Sequence, residues 1–594
     1  MPVDPISLEV FKNLFASVAE EMGVTLQRAS FSPNIRERLD FSCAMFDAQA
    51  RMVAQAAHIP VHLGSMPASV EFALLEFPTL QPGDVIILND PYHGGTHLPD
   101  ITMVSPVFVG ADVRFFVASR AHHADVGGMS PGSLPLSTEL YQEGVIIPPI
   151  KLIDAGRRND GVLVLITANS RAPEERLGDL EAQLAAQRVG ERRLLALVEA
   201  HGETRVTEHA DALLDYSRRM TEAVIAQIPD GVYTFEDALE GDGQREFRIP
   251  ICATIHVNGS QMTVDFTGSA PQVAGNVNAV EAIVRSATWY CVRLLAEDDV
   301  PVNHGCFQPV SVITPPHSLL NPDFPAAVAV GNTETGQRIV DAVLGALSQA
   351  LPGKIPAAGQ GTMNNFTFGG TVNNRAFVYY ETIAGGHGAG TLGDGLSGRH
   401  SHMTNTRNTP VESLEYALPV RVIEYGLREG SGGDGKYRGG DGIRRVYEFL
   451  APATATINSE RRIYAPYGLE GGEPGQVGRN LLIRNNYTSF SSDELSLKSI
   501  ERIDELLAHY AKNRQINEIV QLVEGLVHIY PNDPRLHSRL GAIYAGLSRK
   551  EDSIAQLDLL DNLQLDVGAK WTGQINPGDR VIIETPGGGG WGRK

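Results

Sequence analysis

Cysteine is scarce in this chain of 594 residues: Cys43, Cys252, Cys291 and Cys306 are scattered, with no CxxC pair. A disulfide framework and a thiolate zinc site are not expected from that pattern, and a reducing cytoplasm fits it best. Positive charge is also short, with 49 Lys+Arg against 70 Asp+Glu and a net charge of -21. A nucleic-acid footprint, which needs a basic patch to release counterions, is therefore not expected. No stretch reaches about 18 uninterrupted apolar residues, so no membrane-spanning helix is expected. Met1 to Phe15 lacks the cationic start and continuous apolar run of a signal peptide. No nucleotide fingerprint appears, since the glycine tail Thr585 to Gly592 lacks the Lys and Ser/Thr of a phosphate loop. There is no GxSxG elbow and no Cys/His nucleophile motif, which leaves serine and cysteine hydrolysis without support.

What the chain does have is enough apolar content, 42% against 20% charged, for several globular cores. Its patterning points to an α+β, multi-domain protein with mixed sheets, glycine-rich loops, a helical arm and an inserted block of α-helical repeats. Residues 1–170 form an N-terminal domain that opens on an amphipathic helix at 5–28, with Ile6, Val10, Leu14, Val18 and Met22 as its apolar stripe. Short apolar runs such as Val85–Leu88 and Arg114–Ala118 follow as strands with functional loops at their ends. Residues 171–228 read as the helical arm, 229–330 as an α+β domain with a helix at 277–296, and 331–487 as a glycine-rich β domain. The block 488–565 has continuous helical periodicity, and Leu506 and Tyr510 recur 34 residues later as Leu540 and Tyr544, as in a tetratricopeptide repeat. Residues 566–594 return to a strand and the glycine tail, completing the β domain.

The chemistry concentrates in two polar clusters, Asp90 to Asp100 and Arg120 to Gly128, each preceded by a strand-like run. His97 and Asp100 supply two ligands from one turn, because Pro99 holds Leu98 extended and the chain must bend before Asp100. If the strand continues through Arg120 to Asp125, His122 faces one side while His123 and Asp125 share the other. One of the two histidines completes a divalent metal site of three protein ligands with room for water or substrate. The other, or Asp125, then supports the ligands or moves a proton beside them. His93 with Asp90 reads equally as a substrate contact or as a capped turn. His387, set between glycines, and the run Arg399 to His402 are further candidates for a site wall. Asp40 stands among charges at Arg36 to Ser42 and reads in isolation as a surface acid.

These strings resemble the hydantoinase B/5-oxoprolinase family, which includes N-methylhydantoinase B-type subunits and subunits of acetone and acetophenone carboxylases. The resemblance runs through Leu39 to Ser42, His58 to Met66, Asn89 to Asp100, His122 to Gly128, Tyr437 to Gly442 and Thr585 to Trp591. It implies a division of labour in which a hydantoinase A-type partner binds ATP and phosphorylates the substrate, while this chain carries a divalent metal such as zinc, manganese or iron. It also implies that the ligands fall on His97, Asp100 and His122 or His123, with Asp40 and Asp125 positioning or deprotonating the attacking group. Glycine loops around His387 would then offer backbone N–H groups to developing negative charge. The reaction implied is ATP-dependent hydrolysis of a cyclic amide (a hydantoin, 5-oxoproline or a lactam) within a hetero-oligomer. Carboxylation of a ketone with bicarbonate, and a non-catalytic adaptor role, are the alternatives. The block 488–565 departs from the family pattern.

Overall fold

The structure, a computed structural model, describes residues 3–56, 59–296, 300–484, 523 and 564–593. The repeat block expected at 488–565 lies outside the described residues, apart from Val523 and its last two positions. Those two belong to a strand, Gln564–Asp566, paired with Arg479–Ile483.

The short apolar runs of the first 160 residues form one seven-stranded sheet. Its strands are β1 (Phe41–Asp47), β2 (Met52–Gln55), β3 (Val85–Leu88), β4 (Asp100–Val109), β5 (Asp112–His122), β6 (Ile150–Asp154) and β7 (Arg157–Arg158), in the order β2-β1-β5-β4-β3-β6-β7. All its pairings are antiparallel. Both faces are covered, so the central strands are buried along most of their length rather than alternating. Cys43, Met45, Phe115 and Val117 pack toward the helix Pro5–Ala29, and Ala44, Phe46, Phe116 and Ala118 toward the helix Ser65–Glu76.

The first helix spans Pro5–Ala29, but its buried stripe differs from the expected one. Phe11, Phe15, Val18, Met22 and Leu26 face the sheet, while Ile6 and Val10 remain 79% and 51% exposed. The bulkier phenylalanines, three and four residues from their neighbours, set the rotation of the helix. The arm is two helices, Pro173–His201 and Glu203–Ile225, broken at Gly202, whose φ of +84° suits glycine.

A second sheet has β8 (Gly231–Gly241), β9 (Glu246–Asn258), β10 (Gln261–Asp265) and β11 (Val310–Ile313) in the order β11-β10-β9-β8, with β10 and β11 parallel. The helices Glu281–Leu295 and Gly336–Ala350 pack on it. Two further sheets build the glycine-rich region. In one, Lys570–Ile575 pairs with Ala453–Asn458; in the other, Arg580–Glu584 lies between Gly442–Phe449 and Arg479–Ile483. Arg580–Glu584 thus lies inside its sheet, while Lys570–Ile575 forms an edge of the other. Among the described residues, no helix is long and apolar enough to cross a membrane.

Candidate metal centre

Two sheet neighbours create the site. Asp100 opens β4 and His122 closes β5, and the antiparallel register pairs them directly. Their side chains meet, with His122 Nδ1 3.1 Å from Asp100 Oδ1. His97 stands in the turn before β4, where Asp100 N–H donates to the His97 carbonyl at 3.1 Å, and its Nε2 lies 3.2 Å from Asp100 Oδ1. The turn leading into this motif needs glycine: Gly94 has φ +88°, and a Cβ there would lie 2.6 Å from the Ala68 carbonyl oxygen.

His97, Asp100 and His122 each offer a ligand atom, all within 4.8 Å of one another, and all three residues are buried. His97 Nδ1 is 2.8 Å from the Ala329 carbonyl. A carbonyl only accepts, so Nδ1 carries a proton, which leaves Nε2 as the nitrogen facing the cavity. Nε2 of His97 and Nε2 of His122 are buried without a hydrogen bond. For His97 Nε2 the near polar group is Asp100 Oδ1, whereas His122 Nε2 has no hydrogen-bond partner, a cost in the interior unless something binds it. Both histidines line a cavity of about 20 Å³, room for one ion or water-sized occupant. Nitrogen and carboxylate donors in this number suit a divalent transition metal with an open position. The donor set therefore fits the expected cation.

Other groups hold the carboxylate in place. Thr96 Oγ1 donates to Asp100 Oδ2 at 2.7 Å and Asn332 Nδ2 donates at 3.0 Å. His62 Nε2 lies 3.4 Å from the same oxygen, and its Nδ1 is 2.9 Å from Ser42 Oγ. Burial alone would raise the Asp100 carboxyl, yet His97, His122 and His62 hold it well below the usual range. Burial also opposes a charge on His97, but Asp100 outweighs it and lifts that imidazole above its ordinary value. At His122 burial prevails and the imidazole is pushed down.

Asp40 lines the same cavity, with Tyr380, Thr382, Met403 and Thr404. Arg38 Nη2 is 4.0 Å from its carboxylate, and the Arg38 guanidinium lies 4.6 Å from the Tyr380 ring centroid. Tyr380 stacks on His122 at 4.5 Å. Asp40 is therefore buried beside the ligands rather than exposed, as it would be on a charged surface.

The remaining candidates lie elsewhere. The strand stops at His122, so the expected alternation through Asp125 is not continued. His123 turns away to Gln183 Oε1, 2.9 Å from its Nε2. Asp125 accepts from Arg171 Nη1 and Arg171 N–H, both at 2.8 Å, and those bonds leave it bracing a loop instead of facing the cavity. His93 pairs with Asp90 at 2.7 Å, its side chain 56% exposed, while Asp90 caps the turn through Tyr92 N–H. His387 Nε2 donates to the His400 carbonyl at 2.9 Å. The amides around it serve other backbones: Gly386 to Pro586, His387 to Leu396 and Ala389 to Gly589. They offer no free donor set for an oxyanion. The sequence patterns assign no role to His62, Asn332, Thr96 or Tyr380; the first signal for His62 is its place in the His58 to Met66 string.

The chain matches the profile described as Hydantoinase B/oxoprolinase over residues 4–594. A 5-oxoprolinase 1 of Arabidopsis thaliana is 41% identical over 81% of this chain and 39% of that protein. A putative D-/L-hydantoinase B-type subunit from a Pseudomonas species is 34% identical over 82% of this chain and 85% of the relative. Among solved structures, an ATP-dependent caprolactamase from Pseudomonas jessenii superposes with a TM-score of 0.81 at 27% identity, covering 100% of this chain and 91% of that one. An acetone carboxylase shares the fold at 17% identity and a TM-score of 0.79, over 100% of this chain and 76% of that one. The chain spans about two fifths of the length of the 5-oxoprolinases it matches.

Proposed function

This chain belongs to the hydantoinase B/oxoprolinase family, and on that premise we propose that it carries the hydrolytic half of an ATP-dependent opening of a cyclic amide. The observation that carries this reading is the convergence of His97, Asp100 and His122 on one small cavity, with an imidazole nitrogen of each histidine turned to it without a hydrogen bond. The names 5-oxoprolinase and caprolactamase among similar proteins point to lactam-like substrates. The activating half falls to a hydantoinase A-type partner, in keeping with the fraction of the 5-oxoprolinases that this chain spans and with a relative named as one subunit of a hydantoinase.

A divalent cation held by His97, Asp100 and His122 would supply Lewis acidity to an oxygen on the carbon under attack or to the attacking water. The protein's own groups do the rest. Asp100, held ionised by its imidazole neighbours, keeps the site electronegative enough for a cation. The Ala329 carbonyl fixes the His97 tautomer. In this reading Asp40, on the cavity wall, takes the proton of the attacking water, and Tyr380, stacked on His122, fixes its ring. The partner transfers the γ-phosphoryl group of ATP to the amide oxygen; one water adds to the amide carbon, the C–N bond breaks as the nitrogen takes a proton, and a second water hydrolyses the resulting acyl phosphate to carboxylate and phosphate.

The test is to combine the purified chain with its A-type partner and ATP and offer hydantoin, 5-oxoproline or caprolactam. Phosphate release that depends on the cyclic amide, with a ring-opened product, supports the proposal. Release that depends on bicarbonate and a ketone, with a carboxylated product, replaces it with the carboxylase reading. Neither activity in an intact complex points to an adaptor.

A further inference from the structure

Glu143 is fully buried and is not part of the cavity lining, yet its contacts lead to two of the three ligands. Its Oε1 accepts from Val328 N–H at 2.8 Å, Ala329 N–H at 3.0 Å and Ser137 Oγ at 2.8 Å. The carbonyl of that same Ala329 accepts the proton of His97 Nδ1 at 2.8 Å. The segment then turns, Gly331 N–H donating to the Val328 carbonyl at 3.0 Å, and presents Asn332, whose amide donates to Asp100 Oδ2 at 3.0 Å. One carboxylate therefore ties down a backbone stretch that orients both His97 and Asp100.

Placing a carboxylate in the interior is costly, so a residue of this kind is expected only where its acceptor is needed. Two adjacent backbone amides just before a helix, with no ladder partner, are such a place. The sequence motif that supplies His122 also makes room for it. Gly128 has φ +86°, and a Cβ there would come within 2.7 Å of the Glu143 backbone, so the loop after His122 can lie flush against Glu143 only with glycine at that point.

We propose that Glu143 is a positioning residue for the cation site, holding the 328–332 segment so that His97 and Asp100 present their ligand atoms together; this rests on the cation reading above. Support of a ligand from outside the coordination shell is commonly worth a factor of about 10 to 100 in metal affinity.

The test uses the full chain and Zn²⁺ alone, titrated against a chelator, with histidine ring ¹⁵N shifts recorded in parallel. Glu143→Ala is expected to weaken Zn²⁺ binding by roughly 10- to 100-fold and to redistribute the His97 tautomer. Glu143→Gln, whose amide oxygen still accepts from the two backbone N–H groups, is expected to stay within a few-fold of wild type. Should the alanine variant not fold, Glu143→Asp draws the carboxylate back by a methylene and is expected to show the same loss. A general loss of stability would lower the melting temperature of the apo protein without changing affinity or tautomer in the folded fraction. Unchanged Zn²⁺ affinity in the alanine or aspartate variant overturns the proposal, as does a glutamine variant as weak as alanine. Wild-type protein that binds no Zn²⁺ overturns the cation reading itself, a separate and visible failure.

Discussion

Asp100 and His122 are direct cross-strand partners, 22 residues apart in sequence and 3.1 Å apart at their side chains. The pairing of β4 with β5 sets this contact before any side chain adjusts, so the site inherits the rigidity of a sheet. Neighbours on an antiparallel pair have Cβ atoms about 5 Å apart, a spacing suited to sharing one ion.

That relationship separates the two tandem histidines. His122→Gln and His97→Ala are expected to abolish stoichiometric metal retention, whereas His123→Gln is expected to keep it while losing thermal stability through its buried contact with Gln183. Elemental analysis of the three purified variants decides the matter. Metal lost from the His123 variant and kept in the His122 variant would reverse the assignment.

Asp40 lines the cavity without belonging to the convergent triad. Asp40→Asn is expected to retain the metal and to lower kcat by about 10²- to 10⁴-fold in the partnered enzyme, the usual range for loss of a general base. Steady-state kinetics alongside metal content checks this. A variant with wild-type kcat would remove Asp40 from proton transfer.

Metal binding should register as stability. A ligand that binds only the folded state at 100 times its Kd adds about 2.7 kcal/mol. Added Zn²⁺ or Mn²⁺ is expected to raise the melting temperature of the wild-type chain, and chelator to lower it. His97→Ala should respond to neither, and calorimetry shows whether it does.

A different ion cluster contributes to acid stability. Burial opposes ionisation of Asp237, but Arg338 and Arg461 outweigh it and bring the carboxyl from 3.8 to about 2. Arg461 Nη2 lies 2.7 Å from Asp237 Oδ2, and Arg338 stands two residues into the helix that follows the Asn332 turn. A folded pKa below the unfolded one contributes stability above the unfolded value and loses it as pH falls toward the folded value. On the order of 2 kcal/mol is therefore expected to disappear between about pH 4 and pH 2. Denaturant melts across that range should show the loss in wild type and its absence in Asp237→Asn, in which Arg461 and Arg338 keep Asp341 as a partner but lose one of their carboxylates.

Much of the site was legible because it is local. The turn His97 to Asp100 and the end of the strand at His122 lie in two short strings, and strand ends carry loops that meet. His62 and Asn332 were not legible as parts of it, since a three-residue 3-10 turn and a π-helical turn 232 residues from Asp100 reach it only through the tertiary fold. Asp125, His93 and His387 looked the same as site residues on paper. Their local partners, Arg171, Asp90 and the His400 carbonyl, are what place them elsewhere. The helix Pro5–Ala29 shows the same limit at the level of the fold: periodicity gave its extent, while side-chain volume at Phe11 and Phe15 gave its rotation.

The most direct measurement is anomalous diffraction from crystals of the chain grown with Mn²⁺ or Zn²⁺, collected across the metal's absorption edge. A single strong peak among His97, Asp100 and His122 is the expected result. A chain that takes up the ion only at other positions, with those three side chains unmoved and nothing between them, would contradict the account.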